Sequence, residues 1–321
     1  MRLFVTGGAG FIGSNYARHV LHTTDDSVTV FDLLTYAGNR ESLSDLEDNP
    51  RFAFVQGDIC DRDAVTEAMR GHDAVVHFAA ETHVDRSITG PDEFIRTNCL
   101  GTNVVCDVAR HLEVDRVLHI STDEVYGSVE QGSSHEADLL EPRSPYSASK
   151  SGSDLIALSY LTTYGLPVVV TRCSNNFGPY QFPEKMIPLF TTNLLDGHKV
   201  PLYGDGLNIR DWIHVEDHNR AADLVLRSGE PGEVYNIGAG NELTNVELTH
   251  RLLELTGRDE SFIEPVADRL GHDRRYSVNI DKVAALGWSL SRSFDDSLAA
   301  TVDWYRDHRD WWEPLKARAG L

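Results

Sequence analysis

Six short apolar runs mark the first half of the chain, at residues 2–6, 27–32, 52–57, 74–79, 116–121 and 167–173. Each is too short for a helix and reads as a buried strand. Between them lie stretches with apolar residues at helical spacing, among them 11–21, 61–69 and 94–111. Strands alternating with helices predict a doubly wound α/β fold: a parallel sheet covered on both faces, with right-handed crossovers. The ligand crevice of such a sheet lies beyond the carboxyl ends of its strands.

After Cys173 the rhythm changes. Residues 175–184 are rich in Asn, Pro, Gly and aromatics and read as a loop. A helix at 186–195, a strand at 200–203, a helix near 218–227, a strand at 233–237 and a helix near 246–255 follow. They are too irregular for a second doubly wound unit. We divide the chain into residues 1–174, a Rossmann-type dinucleotide domain carrying the catalytic residues, and 175–321, a smaller region that is mainly for substrate, with a soft boundary. The length of 321 residues suits one large domain or two closely packed ones.

Composition narrows the function classes. The formal charge of -21 argues against nucleic acid, which requires clustered Lys and Arg. It also means that an anionic substrate needs a local basic pocket. No apolar run approaches the roughly 20 residues of a membrane span. The chain opens on its first strand at Met1, so no leader is expected and a cytoplasmic location is. Cys60, Cys99, Cys106 and Cys173 form no CxxC pair, which speaks against a disulfide framework or a Cys-based zinc site. His214 and His218 have the i, i+4 spacing of zinc ligands, but no third ligand is evident; the segment reads as structural and no metal is expected.

The turn Gly7-Gly8-Ala9-Gly10-Phe11-Ile12-Gly13 follows the first strand and opens the first helix. Absent β-carbons at Gly7, Gly10 and Gly13 allow a tight turn, close approach of a pyrophosphate and close helix–strand packing, and the helix N-terminus favours phosphate. Asp32 ends the second strand, where a carboxylate binds a ribose 2′-hydroxyl and favours NAD over NADP. Leu33 and Thr35 follow it. Asp58 and Ile59 end the third strand beside the expected adenine. Phe78, Ala79 and Ala80 end the fourth, with small residues where the cofactor should pass.

Tyr146 and Lys150 are spaced i, i+4 after the fifth strand, on one helix face. A neighbouring lysine is expected to lower the phenol's pKa, so that it removes a hydroxyl proton while a hydride leaves the same carbon for NAD. Thr122 can share that hydrogen bond.

The glycine turn, Asp32, the Thr122 region and YxxxK together resemble the extended short-chain dehydrogenase/reductase family over nearly the whole chain. Thr122 is followed by Asp123 and Glu124, two carboxyl groups where the substrate should lie. Oxidation of a sugar at C4 makes its C5 proton acidic; one carboxylate can remove that proton while the other, kept protonated, donates to the leaving C6 hydroxyl. Within the family, STDEVYG and YSASK are similar to the dTDP-glucose 4,6-dehydratase group, a hydro-lyase class that recycles its NAD. That resemblance implies Asp123 as acid and Glu124 as base. It also implies that Thr97 and Asn176 support the cofactor, and that Asn98 supports the helix carrying Tyr146.

For the nucleotide sugar, the same resemblance implies a substrate loop at RCSNNFGP with Asn175, and contacts from Thr82 and Ser87 in ETHVDRS. Lys185, Met186, Pro201 and Tyr203 are implied to border the nucleotide. Arg210, Asn245, Arg269 and His272, with Tyr276 close behind, are implied at the diphosphate and ribose, Asn245 by opening a helix. The family's DRPGHDRRY is here DRLGHDRRY, with Leu270 for the proline. A homodimer is the family expectation, with the helices at 94–111 and 147–164 supplying an interface or serving as core. The alternatives are an epimerase or decarboxylase acting on a UDP-sugar, which the Asp123-Glu124 pair opposes. A non-catalytic NAD-binding protein would not require Tyr146, Lys150, Asp123 and Glu124 together.

Overall fold

A computed structural model describes residues 1–268 and 271–320. The first six strands form as β1 (Arg2–Thr6), β2 (Ser27–Asp32), β3 (Phe52–Gln56), β4 (Ala74–His77), β5 (Arg116–Thr122) and β6 (Val168–Cys173). Three short strands follow: β7 (Asn175–Phe177), β8 (Val200–Tyr203) and β9 (Ile209–His214). Next comes β10 (Val234–Ile237), which returns to the main sheet, and then β11 (Glu242–Thr244) and β12 (Ile263–Val266). The seven-stranded sheet has the order β3-β2-β1-β4-β5-β6-β10 and is parallel throughout.

Alternation along each strand fills two cores. Leu3 and Val5 join Val20, Leu118 and Ile237 in one layer, while Phe4 joins Val75, Val105 and Val117 in the other. Strand order reverses between β1 and β4, so the crevice opens there, where the glycine turn and residues 78–80 leave the sheet. A third cluster around Phe177, Ile187, Trp212, Leu248 and Val302 belongs to the later segments.

Several expectations change. The helix read at 94–111 is three pieces: Pro91–Phe94, a π-helical stretch Ile95–Gly101, and Thr102–His111. Two close contacts occur along this stretch: the Asn98 side chain bonds Glu81, and a β-carbon on Gly101 would come within 2.3 Å of Ile59. Residues 175–177, read as loop, form β7 because they pair in parallel with β9. β9 was hidden by its polar residues: Asp211 is buried because it accepts the Ala239 and Asn241 amides at 2.9 and 2.8 Å. Helices Phe294–Asp307 and Arg309–Ala319 add to the C-terminal part, where no element was read.

Candidate active site

Gly7 leaves β1 with φ +69°, and a β-carbon there would lie 2.5 Å from the Ala79 amide nitrogen. One on Gly13 would lie 2.5 Å from the Gly7 carbonyl oxygen. Gly10 is different: its β-carbon would meet only the Gly7 oxygen, at 3.3 Å, so the space above it is open. Gly10 caps helix Phe11–Thr23 without a side chain, and the first turn carries no acid. The helix's positive end is therefore uncompensated, which suits a diphosphate. Asp32 takes the amides of Ala9 and Leu34 on separate oxygens at 2.9 and 2.8 Å. Each oxygen keeps a lone pair for a ribose hydroxyl.

Every position expected to hold the cofactor lines one continuous cleft. Gly7, Gly10, Phe11, Ile12, Gly13, Asp32, Leu33 and Thr35 come from the ends of β1 and β2; Asp58, Ile59, Phe78, Ala79, Ala80 and Thr97 come from beyond β3 and β4. Tyr146, Lys150 and Asn176 complete it, and the catalytic positions Thr122, Asp123 and Glu124 line the same space. Buried acceptors on Ser121, Asn175 and Asn176 have no partner within the protein and border this cleft, as a site built for a polar ligand requires.

β5 ends at Thr122, whose hydroxyl caps the following 3-10 turn Asp123–Tyr126 by accepting the Glu124 amide at 3.2 Å. Gly127, at φ +75°, closes the turn. Asp123 is buried, its Oδ1 3.3 Å from the Thr122 hydroxyl and its Oδ2 unpartnered. Burial, then the charges of Glu124 and Asp211, push its pKa well above the usual carboxylate range, against a smaller opposing pull from Arg210. A carboxyl group whose pKa is raised in this way is suited to act as an acid beside a second carboxyl group.

Tyr146 and Lys150 lie on helix Pro145–Tyr164, which starts with a Ser144–Ser147 capping box and Pro145 in the first turn. Asn98 donates to the Ser149 hydroxyl at 2.8 Å and ties this helix to the π-helical stretch. The expected lowering of the phenol is not made by the protein alone. Lys150 instead donates to the Ile120 carbonyl at 2.7 Å. Burial pushes the Tyr146 pKa well up, the charges of Glu124 and Cys173 add to that, and a hydrogen bond from Thr122 opposes them. Burial also lowers the pKa of Lys150.

The substrate positions divide. Thr82, Asn175 and Lys185 line the cleft, and the Lys185 ammonium donates to the Thr82 carbonyl at 3.0 Å. Ser87, Met186, Pro201, Tyr203, Arg210, Asn245, His272 and Tyr276 do not line it. Ser87 is fully buried and spends its hydroxyl on Val84 within its own helix. Asn245 follows the true cap, Thr244, which forms a capping box with Glu247. The backbone amides of Asn245 and Val246 bond the Asn208 and Gly206 carbonyls.

Arg210 lies over the Tyr276 ring at 4.3 Å and donates to the Ile209 and Asp273 carbonyls. Arg210 opposes the rise of Asp123, and the charge of Glu124 is among the causes raising Tyr276, after burial. His272 pairs with Asp268 at 2.7 Å, its ring 6.4 Å from Tyr203. Arg269 and Leu270 lie outside the described residues. His214 caps helix Val215–Ser228, and His218 is fully buried, its pKa lowered by burial to about 4.

Among the described residues lining the cleft, the cations are Lys150 and Lys185. Glu81, Glu93, Cys173, Gln181, Phe182 and Glu184 also line it and were not among the expected site residues. Glu184 has a visible role. It accepts the Arg86 guanidinium at 3.1 Å, and that guanidinium lies 3.8 Å from the Tyr36 ring centre, so three separate segments close on one another beside the cleft.

This sheet, its glycine turn and a Tyr–Lys pair facing the same crevice define an extended short-chain dehydrogenase/reductase. The chain belongs to the family described as GDP-mannose 4,6 dehydratase, whose model matches residues 4–301. It is 57% identical to a dTDP-glucose 4,6-dehydratase of Streptomyces antibioticus, over 99% of this chain and 96% of that one. The dTDP-glucose 4,6-dehydratase DesIV of Streptomyces venezuelae, solved with NAD and TYD bound, superposes with a TM-score of 0.97 at 56% identity, covering 98% of this chain and 100% of that one. A more distant solved structure, the UDP-glucose 4-epimerase of Thermus thermophilus with NAD, has a TM-score of 0.89 at 32% identity, over 96% of this chain and 100% of that one.

Proposed function

We propose that this protein is a dTDP-glucose 4,6-dehydratase that holds NAD through the turn Gly7–Gly13 and Asp32. One observation carries the reading: a buried Asp123 with a raised pKa stands next to Glu124 in the same cleft as Tyr146 and Lys150. NAD supplies the hydride acceptor at C4 and the donor at C6, and its cationic ring favours the Tyr146 phenolate. Tyr146 takes the C4 hydroxyl proton, with Thr122 hydrogen-bonded to it. Glu124 removes the C5 proton. Asp123 gives its proton to the C6 hydroxyl, which leaves as water. The hydride returns to C6, Glu124 gives the proton it took back to C5, and the proton held on Tyr146 replaces the one Asp123 gave; the net change is loss of one water, giving dTDP-4-keto-6-deoxyglucose.

The epimerase reading uses the same fold but gives Asp123 and Glu124 no task. Thymidine is supported by the likeness to the Streptomyces enzymes. A homodimer is supported by exposed apolar side chains on the two outer helices: Ile95, Leu100 and Leu155 are 52%, 48% and 61% exposed. A cytoplasmic location is supported by four cysteines that stand unpaired. Incubation with dTDP-glucose and NAD, without added reductant, is expected to yield a keto sugar lacking the C6 hydroxyl. A product that keeps that hydroxyl removes the dehydratase reading.

A further inference from the structure

Behind the site lies a buried polar chain that the mechanism leaves unused. Arg172 on β6 is 3% exposed and Asp154, on the helix of Tyr146 and Lys150, is 0% exposed. The guanidinium Nε donates to Asp154 Oδ2 at 2.9 Å. Its Nη1 donates to the Tyr126 hydroxyl at 2.8 Å, and that hydroxyl donates to Asn236 Oδ1 on β10, also at 2.8 Å. His119 on β5 stands 3.2 Å from the other Asp154 oxygen. β6 pairs with β5 so that Arg172 faces Ser121, one residue before the catalytic segment.

One side chain therefore bonds both halves of the machinery. Asp154 lies one turn beyond Lys150, on the half that oxidises C4. Tyr126 ends the 3-10 turn that carries Asp123 and Glu124, the half that eliminates water. A buried ion pair repays its desolvation poorly, so stability alone is a weak reason for one here. A planar guanidinium is suited to fixing two partners in one geometry.

We infer that Arg172, anchored by Asp154, is a positioning residue that sets the Asp123–Tyr126 turn against the helix of Tyr146 and Lys150, so that both halves meet the same sugar. The inference rests on the proposed dehydratase activity. It predicts an uneven defect: loosening the link delays elimination and leaves oxidation intact.

Tyr126→Phe tests it, because the ring stays packed while the link is cut. With dTDP-glucose as substrate, kcat is expected to fall about tenfold with KM within about twofold of the parent, since small misplacements of reacting groups carry large rate effects. Bound NAD is expected to be unchanged, and near-ultraviolet absorbance of reduced cofactor is expected to build up in the steady state. Arg172→Lys keeps the charge opposite Asp154 but cannot fork to Tyr126, and is expected to show the same build-up. Turnover of Tyr126→Phe at the parent rate overturns the inference. So does a loss that tracks lost folding or lost NAD with no build-up of reduced cofactor. A parent protein that leaves dTDP-glucose unchanged overturns the proposed function, and this inference with it.

Discussion

Glu124→Gln is expected to keep the fold and the bound cofactor and to slow dehydration by about 10²- to 10⁴-fold, the usual worth of a positioned general base. The amide fills the same space and cannot take the C5 proton. Tyr146 and Lys150 are untouched, so oxidation at C4 still proceeds and reduced cofactor accumulates. Removing this charge also removes a cause that raises Tyr146, second to burial, so the oxidation step is expected to reach full rate at lower pH than in the parent. Asp123→Asn is expected to lose turnover by a similar factor, through loss of the acid. Its stability should move the other way. Burial, before the charges of Glu124 and Asp211, raises the folded-state pKa of Asp123 above its unfolded value near 3.8. The stability linked to its bound proton is fully present below that unfolded value and is lost as pH rises through the folded one. Asp123→Asn should therefore melt above the parent at alkaline pH, with the gap closing as the pH falls toward 4, which thermal melts across pH will read. Equal loss of bound NAD in both variants would contradict these roles.

The second large effect concerns the glycine turn, where three alanine substitutions should separate. Gly7→Ala forces an alanine into φ +69° and drives its β-carbon to 2.5 Å from the Ala79 nitrogen. A left-handed alanine alone costs about 1–2 kcal/mol. Gly13→Ala meets the Gly7 carbonyl at 2.5 Å and the Gly8 Cα at 2.8 Å, both backbone atoms with little room to give. Both proteins are expected to melt lower and to purify without NAD. Gly10→Ala meets only one atom, at 3.3 Å, so it should melt like the parent. Its methyl would occupy the approach of the pyrophosphate, and its NAD affinity should fall by tenfold or more, a loss of about 1.4 kcal/mol. Melting temperature and bound nicotinamide, measured together, sort the three. A Gly10→Ala protein that binds NAD as tightly as the parent would show that the phosphates lie elsewhere.

The sheet was legible because its strands are nearly continuous apolar runs; 2–6 and 27–32 were read to the residue. The positions expected to hold the cofactor come together in one cleft, since strand, turn and helix place those residues by local chain geometry. The substrate side was less so. Arg210 and Tyr276 sit together through β9, whose buried Asp211 is stabilised by amides some thirty residues away, a partnership that no local pattern announces. At Asn245 the helix start reads as an anion site, and only the fold shows that its first backbone amides go to the Gly206 and Asn208 carbonyls. The lysine beside Tyr146 misled for a related reason. Spacing placed it on the right face, but only the fold reveals that its ammonium donates a hydrogen bond to the Ile120 carbonyl.

The central claim is that one bound NAD takes a hydride from C4 and gives it back at C6 while Asp123 and Glu124 remove water between the two events. dTDP-glucose deuterated at C4 tests this directly. A 4-keto-6-deoxy product with the deuterium at C6 is expected, with none in cofactor recovered from the medium. Deuterium in released cofactor, or a product still carrying its C6 hydroxyl, would contradict it.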